Sequence, residues 1–308
     1  MASVPEPVFP TPDDLTIPCP EGPGLKAWHW RSPGPRGILL IAHGLGEHAG
    51  LYRALAEYLV TTLDIDVLGV DFQGHGRSPG RRGHLRHYDQ LVENLEATIR
   101  WAERHRPGLP RFLLGHSNGG VVAAQTALRL PDQLDGLILS NPAFRLKFQP
   151  PWHKLAVGHT LRVLAPWCTI SGALPIEDLS RDPLQQLQLA SDRLIHTRVG
   201  PPLFFGMRQA GQDALERAAE FRLPLLIILG PDDPIIDPDS GRSFFDRYGG
   251  PEKAVIAHPG FRHDPLFEKD RGIIYHGLAN WLLPRRSPPP PLHALSAPQS
   301  FAEAPPSS

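Results

Sequence analysis

The residue best suited to covalent chemistry in this sequence is Ser117, which stands between two glycines. The segment 112–120 reads FLLGHSNGG, and a run of small and apolar residues follows it at 121–128. This pattern predicts a buried strand, a sharp turn and a helix, with strained backbone angles that require small residues at Gly115 and Gly119. Because the turn places the hydroxyl at a helix N-terminus, where a developing anion is favoured, the expected chemistry is nucleophilic attack.

A serine hydroxyl needs a base to remove its proton, and the base needs a carboxylate that fixes its tautomer. With a nucleophile on such a turn, the acid and then the histidine come later in the chain, each after a strand. Two downstream apolar segments, 223–229 and 254–257, are predicted strands, and they are followed by GPDDPIID and HPGFRHD. The acid is therefore expected in the first loop and the base in the second.

Five residues in these loops compete for the two roles. His258 lies at the strand end before a Pro-Gly pair and is typical of a turn, whereas His263 lies deeper in its loop and is the predicted base. Asp237 precedes a proline and is explained as the cap of the next helix. The residues by themselves leave both Asp232 and Asp233 open as the acid.

The anion formed by attack on a carbonyl needs two backbone N–H donors. Asn118 follows the nucleophile, and its N–H is expected to point inward. The second donor is expected from Leu45, because the glycines of the loop HGLGEH at 43–48 let its backbone approach a substrate. The segment 71–78, DFQGHGRS, is predicted to be a tight structural turn, and its histidine precedes the nucleophile, the wrong order for a base.

The elements that must position these residues alternate along the chain, which predicts a mostly parallel sheet with helices on both faces. Besides the strands named above, strands are predicted at 25–31, 37–42, 66–71 and 134–139. Helices are predicted at 51–62, 89–105, 238–248 and 268–283. The Asp264-Pro265 pair is typical of a helix start.

The alternation is interrupted at 144–220, where prolines break up helical pieces, and this block is predicted to be a cap insertion. Its part 144–176 contains no Asp or Glu, four Lys or Arg residues and many large apolar residues. Three alternatives fit: the cap lines an acyl pocket, it touches a lipid surface, or it only packs on the core. The first is favoured, with Trp152, Leu155 and Trp167 as candidate substrate contacts.

The 308 residues fit one domain at 25–284 that includes this cap, with a proline-rich extension at 1–24 and a disordered proline-rich tail at 285–308. A net charge of −1 gives no sign of a nucleic-acid partner. The two cysteines lack metal or redox spacing, and neither a metal nor a cofactor is expected. No apolar run is long enough for a transmembrane segment, and no signal peptide is recognisable, so a soluble cytoplasmic protein is expected.

Together these segments resemble the monoacylglycerol lipase and lysophospholipase group of α/β-hydrolases, also described as serine-aminopeptidase-like hydrolases. The likeness covers about residues 25–283 and includes LSRDP at 179–183. In that group the acid lies thirty residues before the histidine, which here selects Asp233. The sequence departs from the group at Asn118, where methionine is frequent, and in the cap before Leu179.

The resemblance implies the α/β-hydrolase fold and a carboxylic-ester hydrolase that works through an acyl-enzyme, with Ser117, His263 and Asp233 as its catalytic residues. The implied substrate is a small acyl ester, either a monoacylglycerol or a lysophospholipid. The alternative within enzymes is a broad short-chain carboxylesterase, and a peptidase or a cofactor-free oxidising enzyme would use the same residues. A non-catalytic binding protein is disfavoured because all three residues are present.

Overall fold

Strands and helices alternate along most of the computed structural model, which describes residues 12–19, 22–148, 150–172 and 174–288. The tail predicted to be disordered lies outside the described residues from position 289 onward. The strands are β1 Asp13–Ile17, β2 Leu25–Trp30, β3 Gly37–Ala42, β4 Ile65–Val70, β5 Arg111–His116, β6 Gly136–Ser140, β7 Ile170–Ser171, β8 Arg198–Val199, β9 Leu225–Leu229 and β10 Lys253–Ala257. The α-helices are α1 Arg53–Leu63, α2 Asp89–His105, α3 Asn118–Arg129, α4 Trp152–Leu164, α5 Ile176–Leu179, α6 Pro183–Ser191, α7 Pro201–Glu216, α8 Pro238–Arg247 and α9 Gly272–Leu282.

Within the described residues, eight strands form one sheet in the order β1-β2-β4-β3-β5-β6-β9-β10. The strands from β4 to β10 in this order are parallel, and β1 and β2 add an antiparallel edge. The mostly parallel sheet expected from the sequence is confirmed. The parallel strands end at one edge of the sheet, so the loops that follow β3, β5, β9 and β10 meet there.

The sheet is covered on both faces because its central strands are apolar on both sides. In β3, Leu39 and Ile41 belong to the core beneath α1 and α9, whereas Ile38 and Leu40 belong to the core beneath α2, α3, α7 and α8. All four side chains are fully buried. This two-sided core explains why the strands read as continuous apolar runs.

Besides shifts of one or two residues at other element ends, one strand of the eight-stranded sheet was missed and two helices begin later than predicted. The edge strand β1 was not predicted, because the sequence DDLTI has the polar surface of a strand at the rim of a sheet. The first helix begins at Arg53, after a 3₁₀ turn over Ala49–Tyr52. The last helix begins only at Gly272, because Pro265–Phe267 forms a separate 3₁₀ turn.

The block 144–220 contains α4 to α7 and a small antiparallel ribbon of β7 and β8. Helix α7 packs against α3, and α4 packs against α7. No residue of α4 is buried. None of the described helices combines the length and the apolar character that crossing a bilayer requires.

Candidate active site

Ser117 lies in the turn between β5 and α3 with strained backbone angles, φ 52° and ψ −120°. A Cβ added at Gly115 would clash with the carbonyl oxygen of Gly119. One added at Gly119 would clash with the carbonyl oxygen of Ala42, at the end of β3. Glycine at both positions therefore lets the turn close and lets α3 approach the neighbouring strand, as the sequence predicted.

The structure brings Ser117, His263 and Asp233 together. The Oγ atom of Ser117 lies 2.9 Å from Nε2 of His263, and Nδ1 of His263 lies 2.8 Å from Oδ2 of Asp233. The three side chains come from the loops after β5, β10 and β9, and their exposed fractions are 9%, 4% and 1%. With Nδ1 donating to the carboxylate, Nε2 is free to accept the serine proton, which is the arrangement of a nucleophile, a base and an orienting acid.

The competing residues have other contacts. Asp232 is exposed, and its Oδ2 accepts a hydrogen bond from the N–H of Gly260 at 2.6 Å. Asp237 accepts from the N–H of Asp239 and caps α8. His258 lies in an exposed turn and bonds to the carbonyl of the next residue. Of the candidates in these two loops, only Asp233 and His263 face Ser117.

Opposite charges support the contact between His263 and Asp233. Burial alone would lower the pKa of the His263 imidazole, but Asp233, with smaller contributions from Asp264 and Glu47, raises this pKa to about 9. Burial alone would raise the pKa of Asp233, but the facing imidazole and two backbone N–H groups hold it below its ordinary value. The geometry thus favours the protonated imidazole that forms when a serine gives up its proton.

Asn141, at the end of β6, ties together the two loops that carry Asp233 and His263. Its side-chain amide donates to the carbonyl oxygens of Arg262 and His263, each at 2.9 Å, and accepts from the N–H of Gly230 at 2.8 Å. The residue is 3% exposed and has a positive φ of 37°. The sequence analysis missed this residue, although a polar side chain directly after a buried strand is a usable signal.

The loop predicted to hold Leu45 lies beside Ser117, since the carbonyls of Ala42 and His43 touch Gly119. Nε2 of His43 accepts a hydrogen bond from the N–H of Phe72 at 3.0 Å, so the turn at 71–78 helps to hold this loop in place. Within the described residues the N–H of Leu45 has no acceptor. The N–H of Asn118 is the first of α3 and has no intrahelical partner. Both amides are thus available to an oxyanion.

The side chain of Asn118 turns away from the nucleophile. It is 1% exposed, and its Oδ1 accepts a hydrogen bond from the Tyr88 hydroxyl at 2.8 Å. Tyr88 in turn lines an open cavity of about 1070 Å³ between the cap and the start of α2. Four arginines also line this cavity: Arg86, Arg145, Arg162 and Arg208. It is not the apolar tunnel expected for an acyl chain, because much of its wall is charged.

The three candidate substrate contacts in the cap differ in their exposure. Trp152 is 80% exposed and Trp167 54% exposed, while Leu155 is half-buried on α4. None of them lines the cavity, whose cap-side wall contains His159, Arg162 and Phe205. The composition of α4 showed that this helix is apolar, but its periodicity could not show which side of the helix faces the domain.

The last part of the cap holds the loop that carries His263. The N–H of Asp264 donates to the carbonyl of Leu179 at 2.8 Å, and the N–H of His263 lies 3.4 Å from the carbonyl of Asp178. The Ser180 hydroxyl donates to the carbonyl of Phe267, and Arg181 forms an ion pair with the buried Glu268. This explains the LSRDP motif, which the sequence analysis recorded without assigning it a role.

Asp264 differs from its expected role as a helix cap. Its carboxylate makes no capping bond, and its Oδ1 instead accepts from Nε2 of His116 at 3.0 Å. Nearby, Oε2 of Glu47 accepts from the N–H of Gly44 at 2.8 Å and from the Tyr52 hydroxyl at 3.1 Å. These contacts join residues far apart in sequence, so no local pattern could have predicted them.

Comparisons with known proteins agree with this geometry. A family model described as "Serine aminopeptidase, S33" matches residues 33–270, which include all four loops of the site. The chain is 31% identical over 253 residues to a monoacylglycerol lipase of Mycolicibacterium smegmatis, covering 81% of this chain and 89% of the relative. It is 27% identical to phospholipase YtpA of Bacillus subtilis, covering 80% and 95%. A crystal structure of the Paleococcus ferrophilus monoacylglycerol lipase matches with a TM-score of 0.77 at 28% identity, covering 84% and 98%.

Proposed function

The chain belongs to the serine aminopeptidase S33 family of hydrolases, and from this premise we propose that it cleaves monoacylglycerols or lysophospholipids through an acyl-enzyme. The observation that carries the proposal is the buried contact of Ser117 with His263 and of His263 with Asp233. The relatives described as monoacylglycerol lipase and phospholipase support an ester of one fatty acyl chain as the substrate.

In the proposed reaction, Oγ of Ser117 attacks the ester carbonyl while Nε2 of His263 takes its proton. The N–H groups of Leu45 and Asn118 hold the oxyanion, and loss of one such donor typically costs about 3 kcal/mol. The imidazolium then protonates the leaving alcohol, which leaves an acyl group on Ser117. A water molecule, deprotonated by the same imidazole, releases the fatty acid and restores the serine.

A series of p-nitrophenyl esters from acetate to palmitate tests the proposal, with Ser117→Ala as the blank. We expect Ser117-dependent turnover with a maximum at medium or long chains, because a fatty acyl group contributes binding energy with each buried methylene. A maximum at two to four carbons would favour the short-chain carboxylesterase. Absence of Ser117-dependent turnover at every length would contradict the ester-hydrolase assignment.

We propose that the cavity beside Tyr88 receives a phosphate-bearing headgroup, which favours the lysophospholipid of the two substrate classes. Its lining does not include Ser117 or His263, but Tyr88 links it to Asn118, the neighbour of the nucleophile. The lining aspartates Asp89 and Asp213 are ion paired with Arg129 and Arg217, and the lining Arg145 is ion paired with Asp237. The other three lining arginines give the wall a positive balance that suits a phosphate group. Turnover of a monoacylglycerol and of a lysophospholipid with the same acyl chain, measured side by side, distinguishes the two.

We also propose that the cap touches the lipid surface that presents the substrate. Most of the large apolar side chains that are exposed in the described residues lie between 148 and 187, and those outside this range are Val255, Ile273 and Leu283. On α4, Trp152 and Leu164 are 80% and 70% exposed. The same helix carries basic residues and no acidic one, which favours an anionic lipid surface.

The double variant Trp152→Ser, Leu164→Ser tests this contact. We expect turnover of a long-chain substrate in anionic vesicles to fall about tenfold or more, since each large apolar side chain contributes about 1.5 kcal/mol when buried. Turnover of p-nitrophenyl butyrate in solution should stay at the wild-type level. Ile273→Ser, which alters an exposed apolar residue on α9, is the matched control. Equal losses on vesicles and in solution would contradict a role at the lipid surface.

A further inference from the structure

A second pair of a histidine and a carboxylate lies directly behind the imidazole of His263. His116 precedes Ser117 and is fully buried, and Asp264 follows His263 and is 1% exposed. Nε2 of His116 lies 3.0 Å from Oδ1 of Asp264, and the ring centres of His116 and His263 are 5.1 Å apart. A ring nitrogen of each histidine and a carboxylate oxygen of Asp264 all lie within 4.8 Å of one another. A carboxylate at this distance interacts directly with the charge on His263.

A further carboxyl group, that of Glu47, stands behind the pair. Its Oε1 lies 3.8 Å from Nε2 of His116, and its Oε2 is held by Gly44 and Tyr52. Oδ2 of Asp264 is buried and has no hydrogen-bond partner among the described residues. Such an unpaired buried oxygen lowers stability, so the contacts of Asp264 among the described residues do not by themselves account for its position.

Several elements of the fold contribute groups that surround His263. Asp233 faces Nδ1 from the loop after β9, Ser117 faces Nε2 from the end of β5, and His116 lies beside the ring. From the cap, Asp178 presents its backbone carbonyl. Asp264 and Glu47 are the remaining acidic groups that act on the imidazole, and both favour its protonated form, Asp264 more strongly. Burial raises the pKa of the Glu47 carboxyl, which weakens the contribution of Glu47.

We propose that Asp264, joined to Glu47 through His116, is a positioning residue that stabilises the protonated imidazole formed when Ser117 attacks. The inference rests on the proposed function, because it assigns the residue a part in that reaction. Asp233 orients the ring and is hydrogen bonded to one of its nitrogens, whereas Asp264 acts through space without a hydrogen bond to the ring.

The direction in which the pH dependence of kcat/KM should shift follows from the role of His263 as the base. Protonated His263 cannot accept the serine proton, so kcat/KM rises as the pH passes through the pKa of His263, which is about 9. Asp264→Asn removes the charge and keeps an oxygen that can accept from His116. We expect the acidic limb of kcat/KM to move down by about one pH unit, the lower end of the range for a charge at this distance. Maximal kcat should fall about tenfold, because the imidazolium is less stabilised.

Two further variants separate this role from a structural one. Asp264→Glu retains the charge and should keep the wild-type limb. Asp66→Asn removes another buried carboxylate, which contacts His29 and Arg106 at the start of β4, on the opposite edge of the sheet. This control should lower stability and leave the limb unchanged. A folded Asp264→Asn protein with the wild-type limb would overturn the proposal.

Two further measurements test the proposal if Asp264→Asn does not fold or if no ester is turned over. If Asp264→Asn does not fold, Asp264→Ser, which also removes the charge, should shift the limb in the same direction, and an unmoved limb would overturn the proposal. If no ester is turned over, the proposed function fails, and the inference is tested separately by NMR titration of the His263 imidazole in wild type and Asp264→Asn. A pKa of His263 that is equal in the two proteins would overturn it.

Discussion

Ser117→Ala is expected to reduce ester turnover by about six orders of magnitude in kcat, the loss seen when the nucleophile of a serine protease is removed. The substitution deletes the oxygen that lies 2.9 Å from Nε2 of His263 and leaves a methyl group that cannot attack a carbonyl. Steady-state turnover of the best p-nitrophenyl ester measures the loss. Thermal unfolding should show a folded protein, since alanine is no larger than serine.

Ser240→Ala is the matched control for this variant. Ser240 is a buried serine too, and its hydroxyl donates to the carbonyl of Asp237 at the start of α8. Its loss should cost about 1 kcal/mol of stability, the value of one hydrogen bond, with little change in turnover. Substantial residual turnover by a pure Ser117→Ala protein would mean that another group carries out the attack.

Asp233→Asn has the second largest expected effect, a loss of about 10⁴ in kcat. The Oδ1 atom of Asp233 accepts the N–H groups of Ile235 and Ile236, at 2.7 and 2.9 Å. The amide oxygen of asparagine can keep these bonds, which turns its NH₂ group toward Nδ1 of His263. Nδ1 must then accept a hydrogen bond from this NH₂ group, which places the ring proton on Nε2, so the imidazole can no longer take the proton of Ser117.

Asp232→Asn is the control one residue away. Its carboxylate is exposed and accepts the N–H of Gly260, a bond that an asparagine oxygen can also make. We expect its kcat to stay within about twofold of wild type, which matches the small effect of most surface substitutions. A larger loss in Asp232→Asn than in Asp233→Asn would show that the acid is assigned to the wrong residue.

The fold could be predicted because the sequence patterns that mark its strands and helices are local. Continuous apolar runs such as Gly37–Ala42 mark strands buried on both faces, and the order of Ser117, the aspartate loop and His263 follows from the fold. Choosing between Asp232 and Asp233 required the resemblance, because neighbouring residues in a loop point in different directions and only tertiary structure decides which one faces the histidine.

The features that the sequence did not predict depend on long-range contacts. The association of Glu47, His116 and Asp264 joins two loops and the end of β5, and each residue has an ordinary local explanation as a turn, strand or cap residue. The exposure of Trp152 was also unpredictable, because α4 is apolar on several sides and its periodicity does not identify an inward face. The choice between substrate classes depends on the shape and charge of a cavity, which sequence patterns do not encode.

One part of the cap is bonded to the catalytic loops and another part is not, so the two parts can diverge within the family to different extents. Its residues 178–181 are bonded to the loop that carries His263, so a substitution there disturbs the base. Helix α4 has no buried residue, so its sequence can change at little cost to folding. New substrate preferences can therefore evolve by replacement of α4, and grafting this helix between relatives is the natural route to altered specificity.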